Sequence, residues 1–196
     1  MNLSGTLHSS IGGLVHLTYL DLSYNDLSGR IPREIRNCLK LQVLDLNNNQ
    51  FEGEIPVELG DMSSLVQLLA FSNNLTGPLP RSLGNLKRLR VFRVGDNLIS
   101  GSIPVEIIKG CESLEILDLV KNQLSGDIPK ELGMLGKMKE LLLYTNGLSG
   151  VVPKELGNYT NLEILALYQN NLVGGIPVQY SETRYFWINC FFTRMH

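Results

Sequence analysis

The sequence predicts a repeat solenoid, in which short strands stack unit upon unit around one continuous core. Three observations predict it: a 24-residue period, a Leu-x-Leu alternation inside each unit, and slots that hold Asn, Gly and Pro every time. The first full unit is LVHLTYLDLSYNDLSGRIPREIRN, from Leu14 to Asn37. The second, CLKLQVLDLNNNQFEGEIPVELGD, starts at Cys38, and further units start at Met62, Leu86, Cys111, Leu135 and Tyr159. A half-unit, 1–13, precedes them, and the unit at Leu86 carries one extra residue near Lys109 and Gly110. The repeat region therefore runs over 1–177.

Each element of the unit has a physical reason. The leucine pairs (Leu20 and Leu22, Leu44 and Leu46, Leu165 and Leu167) alternate with polar residues, as a short half-buried strand does. Stacked units merge those leucines into one core, each burial contributing on the order of 1.5–3 kcal/mol. After the strand the chain turns inward and must satisfy its backbone polar groups. Asn25, Asn49, Asn73, Asn97, Asn122, Asn146 and Asn170 share one slot there, and an amide that both donates and accepts can serve these turns from rung to rung. Gly29 and its equivalents permit a backbone angle that side chains forbid. Pro32 and its equivalents fix an extended return that owes no hydrogen bond; the half-unit has His8 in that slot.

Bulk properties exclude several classes. Seventeen Lys plus Arg stand against 19 Asp plus Glu, a net charge of −2, which argues against a nucleic-acid partner. Apolar stretches fall well short of the about 18 residues needed to span a bilayer, and MNLSG does not read as a secretory signal. Cys38, Cys111 and Cys190 form no CxxC pair, so neither a metal site nor a disulfide framework is expected. Cys38 and Cys111 share an inward slot three rungs apart, roughly 14 Å by strand spacing, too far for a bridge. No cofactor is implied.

The units match LxxLxxLxLxxNxLxGxIPxxLGxx, and stretches such as NNLTGPLPRSLGNL and NLEILALYQNNLVGGIP carry it. This resembles the plant-specific class of leucine-rich repeat, in the N-terminal part of the ectodomains of plant receptor-like serine/threonine protein kinases. The resemblance implies an α/β right-handed solenoid, or horseshoe. Its parallel sheet would be concave, with short 3₁₀ and turn segments on the convex side. It implies an extracellular region that binds a peptide ligand or a co-receptor ectodomain. The kinase would lie elsewhere, since no Gly-rich loop, HRD or DFG occurs in this chain. The runner-up is a stand-alone secreted inhibitor or decoy similar to polygalacturonase-inhibiting proteins. After Pro177 the frame breaks, and the segment 178–196 is expected to be disordered or outside the original reading frame, as in a truncated receptor.

In a solenoid, specificity sits on the variable outward strand positions. Three slots offer them: Tyr19, Gln67 and Glu140 in the first, Asp21, Asp45, Arg93 and Asp118 in the second, Phe71, Tyr144 and Tyr168 in the third. Seven rungs make roughly 34 Å of sheet, the span of an extended peptide of about ten residues. Tyr144 and Tyr168 on adjacent rungs read either as an aromatic interface anchor or as neighbours packing on each other. Some relatives hold a peptide's terminal carboxylate with two inner-face arginines; here Arg90 and Arg93 occupy unmatched slots, and an Arg93–Asp118 surface ion pair is the preferred reading. Asp21 and Asp45, about 5 Å apart, are not read as catalytic, because an open, solvated sheet offers no pocket to raise one pKa. The triplets at Asn2, Asn74 and Asn158 are glycosylation candidates.

Overall fold

Each unit begins with a three-residue strand, and these strands pair in parallel in sequence order. The computed structural model describes residues 2–175. In it the strands are Tyr19–Asp21, Val43–Asp45, Gln67–Leu69, Val91–Arg93, Ile116–Asp118, Glu140–Leu142 and Ile164–Ala166, defining rungs one to seven. Register is constant: Tyr19 lies beside Val43, Val43 beside Gln67, and so on to Ile164. Middle residues therefore point one way and merge into the core, where Leu44, Phe92 and Leu141 have no exposed surface. First and third residues form the opposite, concave face. The chain is thus an α/β right-handed leucine-rich-repeat horseshoe.

The asparagine slot behaves as expected. Asn49 donates to the Leu22 carbonyl of the preceding rung at 2.8 Å, and its Oδ1 accepts from Leu27 N–H of that rung at 3.0 Å. Asn73, Asn97, Asn122, Asn146 and Asn170 repeat both bonds. The residue before each Asn, from Tyr24 to Gln169, holds φ between 49 and 57°, a left-handed turn that only Asn48 and Asp96 among them favour. The motif did not announce that requirement.

Nor did it announce a second sheet. Ser4–Thr6, Asp26–Arg30, Gln50–Glu54, Asn74–Pro78, Leu98–Gly101, Gln123–Asp127 and Gly147–Ser149 also pair in parallel, along the flank. Each after the first contributes one buried side chain, such as Leu27 or Phe51, followed two residues later by a glycine at φ near 75°. One apolar residue per segment is too little for a period-two pattern. The return segment is therefore hydrogen-bonded up to the proline.

Each slot proline from Pro32 to Pro153 then opens a turn on the convex side: the Pro32 carbonyl accepts from Ile35 N–H at 3.1 Å, starting the 3₁₀ segment Arg33–Asn37. In the half-unit, His8 replaces proline and caps its turn through Nδ1, which accepts from Ser10 N–H at 3.1 Å. The extra residue of the Leu86 unit is absorbed here. Cys38 N–H bonds three residues back to Ile35, but Cys111 N–H bonds four back to Ile107, turning 3₁₀ into the short α-helix Val105–Gly110. Gly110 is needed where it stands, because a Cβ there would overlap the Gly84 carbonyl. Cys38 and Cys111 are free and buried, and burial pushes the Cys111 thiol up to about 11. No helix among the described residues is long and apolar enough to cross a membrane. Cys190 and the readings of 178–196 lie outside the described residues.

Candidate functional site

The constant register sorts the concave face into three columns, and their chemistry changes from one end to the other. Rungs one and two are acidic. Asp21 and Asp45 are direct cross-strand neighbours. Asp21 accepts from the Ser23 hydroxyl at 2.6 Å and from Ser23 N–H at 2.9 Å, and these bonds hold its carboxyl below the ordinary value. Asp45 accepts from Asn47 N–H at 3.0 Å, yet burial raises its carboxyl, with the charge of Asp21 adding to the rise. The expectation that the open sheet would raise neither carboxyl is corrected here: Asp45, with a rung on either side, is half-buried, while Asp21 on the end rung stays exposed. Among the described residues, neither carboxylate has a basic partner within ion-pair distance. Tyr19 is exposed on the same rung as Asp21, and Gln67 is half-buried two rungs further on.

The centre holds the charges that are paired. Arg93 Nη2 lies 3.0 Å from Glu140 Oε2, two rungs away, rather than pairing with its neighbour Asp118. An arginine stem outreaches the strand spacing of about 4.8 Å, so its head passes beyond the short aspartate beside it. Asp118 is instead buried, with Oδ1 3.3 Å from Val120 N–H. Burial raises its carboxyl, Arg93 works against the rise, and Glu140 adds to it. Arg93 Nε is a buried donor without a partner. At the strand-entry edge Arg90 contacts Glu115 at 2.6 Å, and Lys139 reaches the other oxygen of that carboxylate at 3.0 Å. Both arginines are thus occupied, and they do not form a paired clamp.

Apart from Glu140, the outward residues of rungs six and seven are apolar or aromatic. Tyr144 and Tyr168 stack with centroids 4.4 Å apart and planes 7° from parallel, beside Leu142 and Ala166. Burial, followed by Tyr168, raises the Tyr144 phenol. The column continues through buried Val120 and buried Gly95 to half-buried Phe71. A Cβ at Gly95 would lie 2.7 Å from Val120 Cγ2 and 3.1 Å from Phe71 Cδ2, so the missing side chain lets the apolar column close.

Asn2, Asn74 and Asn158 are exposed and lie off this face: before the first flank strand, at the start of Asn74–Pro78, and at the end of the 3₁₀ segment Lys154–Asn158. A cavity of about 540 Å³ lies on the outside, between the proline segments around Ile128 and Val152. The sequence reading missed Gly95 as the closing position, and it missed Glu115 and Lys139. Reading the column just before each strand at its spacing of 25 and then 24 residues (Arg90, Glu115, Lys139) would have exposed the alternating charges.

Comparison with known proteins places this geometry. The family model for a leucine-rich repeat region matches residues 2–102, and a leucine rich repeat matches 113–135. A search of curated proteins returns no match. Among solved structures, the LRR ectodomain of the Arabidopsis thaliana receptor kinase GASSHO1/SCHENGEN3, in complex with CASPARIAN STRIP INTEGRITY FACTOR 2, is 42% identical with a TM-score of 0.85; the match covers 87% of this chain and 20% of that one. The Arabidopsis receptor kinase HAESA, in complex with the peptide hormone IDA and the co-receptor SERK1, is 38% identical with a TM-score of 0.88, over 92% of this chain and 30% of that one. A TDR receptor is 34% identical with a TM-score of 0.91, over 95% and 33%. The chain spans a fifth to a third of the length of these relatives. It belongs to the leucine-rich-repeat family, and its solenoid is of the kind built into plant receptor-kinase ectodomains.

Proposed function

We infer that this chain is a ligand-binding extracellular leucine-rich-repeat region of a plant receptor-like kinase. Its concave face would take an extended peptide or a co-receptor ectodomain, and a kinase outside this chain would carry the signal. The observation that carries this reading is the concave sheet itself. Its outward columns set two unpaired carboxylates at one end and a stacked tyrosine pair at the other, chemistry that the scaffold itself does not need. The partners of the similar HAESA ectodomain, a peptide hormone and a co-receptor, support it. Tyr19, Asp21, Asp45, Gln67, Phe71, Arg90, Arg93, Asp118, Glu140, Tyr144 and Tyr168 are the candidate contacts, while glycans on Asn2, Asn74 and Asn158 would leave this face uncovered. The test is selection of a displayed random-decapeptide library on the full chain. Enriched peptides should lose binding when Leu142→Arg blocks the concave face and keep it when Ser125→Arg alters the flank sheet. Enrichment that only the flank change abolishes, or none at all, would overturn the reading.

A further inference from the structure

Resting on that reading, the distribution of charge and apolar surface constrains the chemistry of the ligand. Of the other acidic groups on the concave strands or their entry edge, Asp118 is buried beside Arg93, Glu163 stands exposed at the entry to rung seven, and two are neutralised. Glu115 is held by Arg90 and Lys139, and Glu140 by Arg93. Asp21 and Asp45 are not, although they stand side by side and the charge of one already disfavours ionisation of the other. A cation placed between two like carboxylates relieves their repulsion as well as pairing with each, so this end favours a positive group over a neutral one.

On the strands themselves the opposite end has no free charge, and exposed Glu163 stands only at its entry edge. The stacked rings of Tyr144 and Tyr168, with Leu142 and Ala166 beside them, form an amphipathic surface of the type enriched at interface anchors. Between the ends, the Arg93–Glu140 pair crosses rung five above the buried Asp118, so the centre offers no exposed, unpaired charge on its strands.

We propose that the occupant is an extended peptide segment with a cationic group (lysine, arginine or a free amino terminus) at rungs one and two and an aromatic or branched aliphatic side chain at rungs six and seven. Asp21 and Leu142 are five rungs apart in the same column. At about 4.8 Å per rung that is about 24 Å, which an extended chain of about seven residues spans. The two anchors therefore sit about seven positions apart in the ligand. The central residues are free of strong charge requirements, because Arg93 and Glu140 already satisfy each other.

The library selection tests this when the enriched peptides are read position by position, with the full chain and two double variants as baits. On the unaltered chain, lysine or arginine should be enriched several-fold at one end, and an aromatic or aliphatic residue about seven positions away. Asp21→Asn with Asp45→Asn should remove the basic enrichment and leave the apolar one; Tyr144→Ser with Tyr168→Ser should do the reverse. Circular dichroism melts of both variants check that the solenoid is retained, and Asp21→Asn alone serves as a milder acidic-end variant if the double change unfolds it. Enriched peptides that bind the concave face without a paired pattern, or whose basic bias survives loss of the carboxylates, overturn the proposal while leaving peptide binding intact. Absence of any concave-face enrichment overturns both. A preference for folded ectodomains over peptides, measured with an immobilised co-receptor ectodomain, would overturn the peptide occupant alone.

Discussion

Two regions separated by a single peptide bond follow different rules. On the inward side of rung four, Phe92 is fully buried between Leu68 and Leu117. On the outward side, Arg93 shares its column with Asp45, Leu69, Asp118 and Leu142. The inward columns vary only among apolar residues, because each side chain fills space bounded by two neighbouring rungs. The outward columns vary in charge, size and polarity, because solvent tolerates all of them. The difference separates what builds the solenoid from what is available for recognition. It also predicts that substitutions should fall into two classes of effect.

The sharpest break is Phe92→Ala. It removes a fully buried ring from a close-packed stack and should cost about 3–5 kcal/mol, seen as a large fall in the denaturation midpoint. Leu142→Ala, half-exposed on the facing side, should cost well under half of that. If the two costs came out equal, the inward and outward columns would not differ as claimed. Asn97→Ala comes next. Its amide donates to Ala70, Val94 and Gly95 carbonyls at 2.9, 3.1 and 3.0 Å and accepts from Leu75 N–H at 2.9 Å. Leaving those buried groups unpaired should cost about 2–4 kcal/mol, and hydrogen exchange should accelerate first at the Leu75 amide.

How far the sequence reading reached follows the same division. The asparagine, glycine and proline slots were legible because each does one backbone task at one place per unit, so a residue type maps directly onto a geometry. The flank sheet was not, since Leu27 or Phe51 alone signals burial without signalling a strand. On the concave face the column of every residue was readable from the period, but not the rung that a long side chain reaches. Arg93 was assigned to its neighbour Asp118 and found Glu140 instead. Asp45 and Asp118 looked solvated for a related reason: exposure depends on the bulk of residues 24 positions away on either side and on the curvature of the sheet. Those are tertiary quantities that a one-dimensional pattern does not carry.

A milder effect sharpens the comparison at the turns. Thr145 holds φ of 57°, a left-handed conformation disfavoured for β-branched residues and tolerated by asparagine. Its hydroxyl lies 2.6 Å from Gln169 Oε1 in an exposed contact of small worth. Thr145→Asn should therefore raise stability by about 0.5–1 kcal/mol. A loss would show that the Gln169 contact outweighs the backbone strain.

The smallest effect is expected at Asp118, where the two regions meet, and it is distinguished by its pH dependence rather than its size. Burial raises this carboxyl in the folded chain, with the Val120 amide and Arg93 acting against the rise and Glu140 with it. A folded-state pKa above the unfolded one means that the native chain holds the proton more tightly. Stability is then greatest when the group is protonated, and the penalty appears as pH rises through the folded pKa. Asp118→Asn keeps an acceptor for Val120 N–H and removes the buried charge, so at about pH 7 it should melt slightly higher than the unaltered protein. That advantage should shrink toward zero as both proteins are brought to about pH 4, near the ordinary aspartate range. An asparagine variant less stable at neutral pH would mean instead that Asp118 is needed as an anion, the attraction of Arg93 then outweighing the cost of burial. The centre of the concave face would in that case be an electrostatic unit of three residues rather than one ion pair crossing over a reluctant carboxylate.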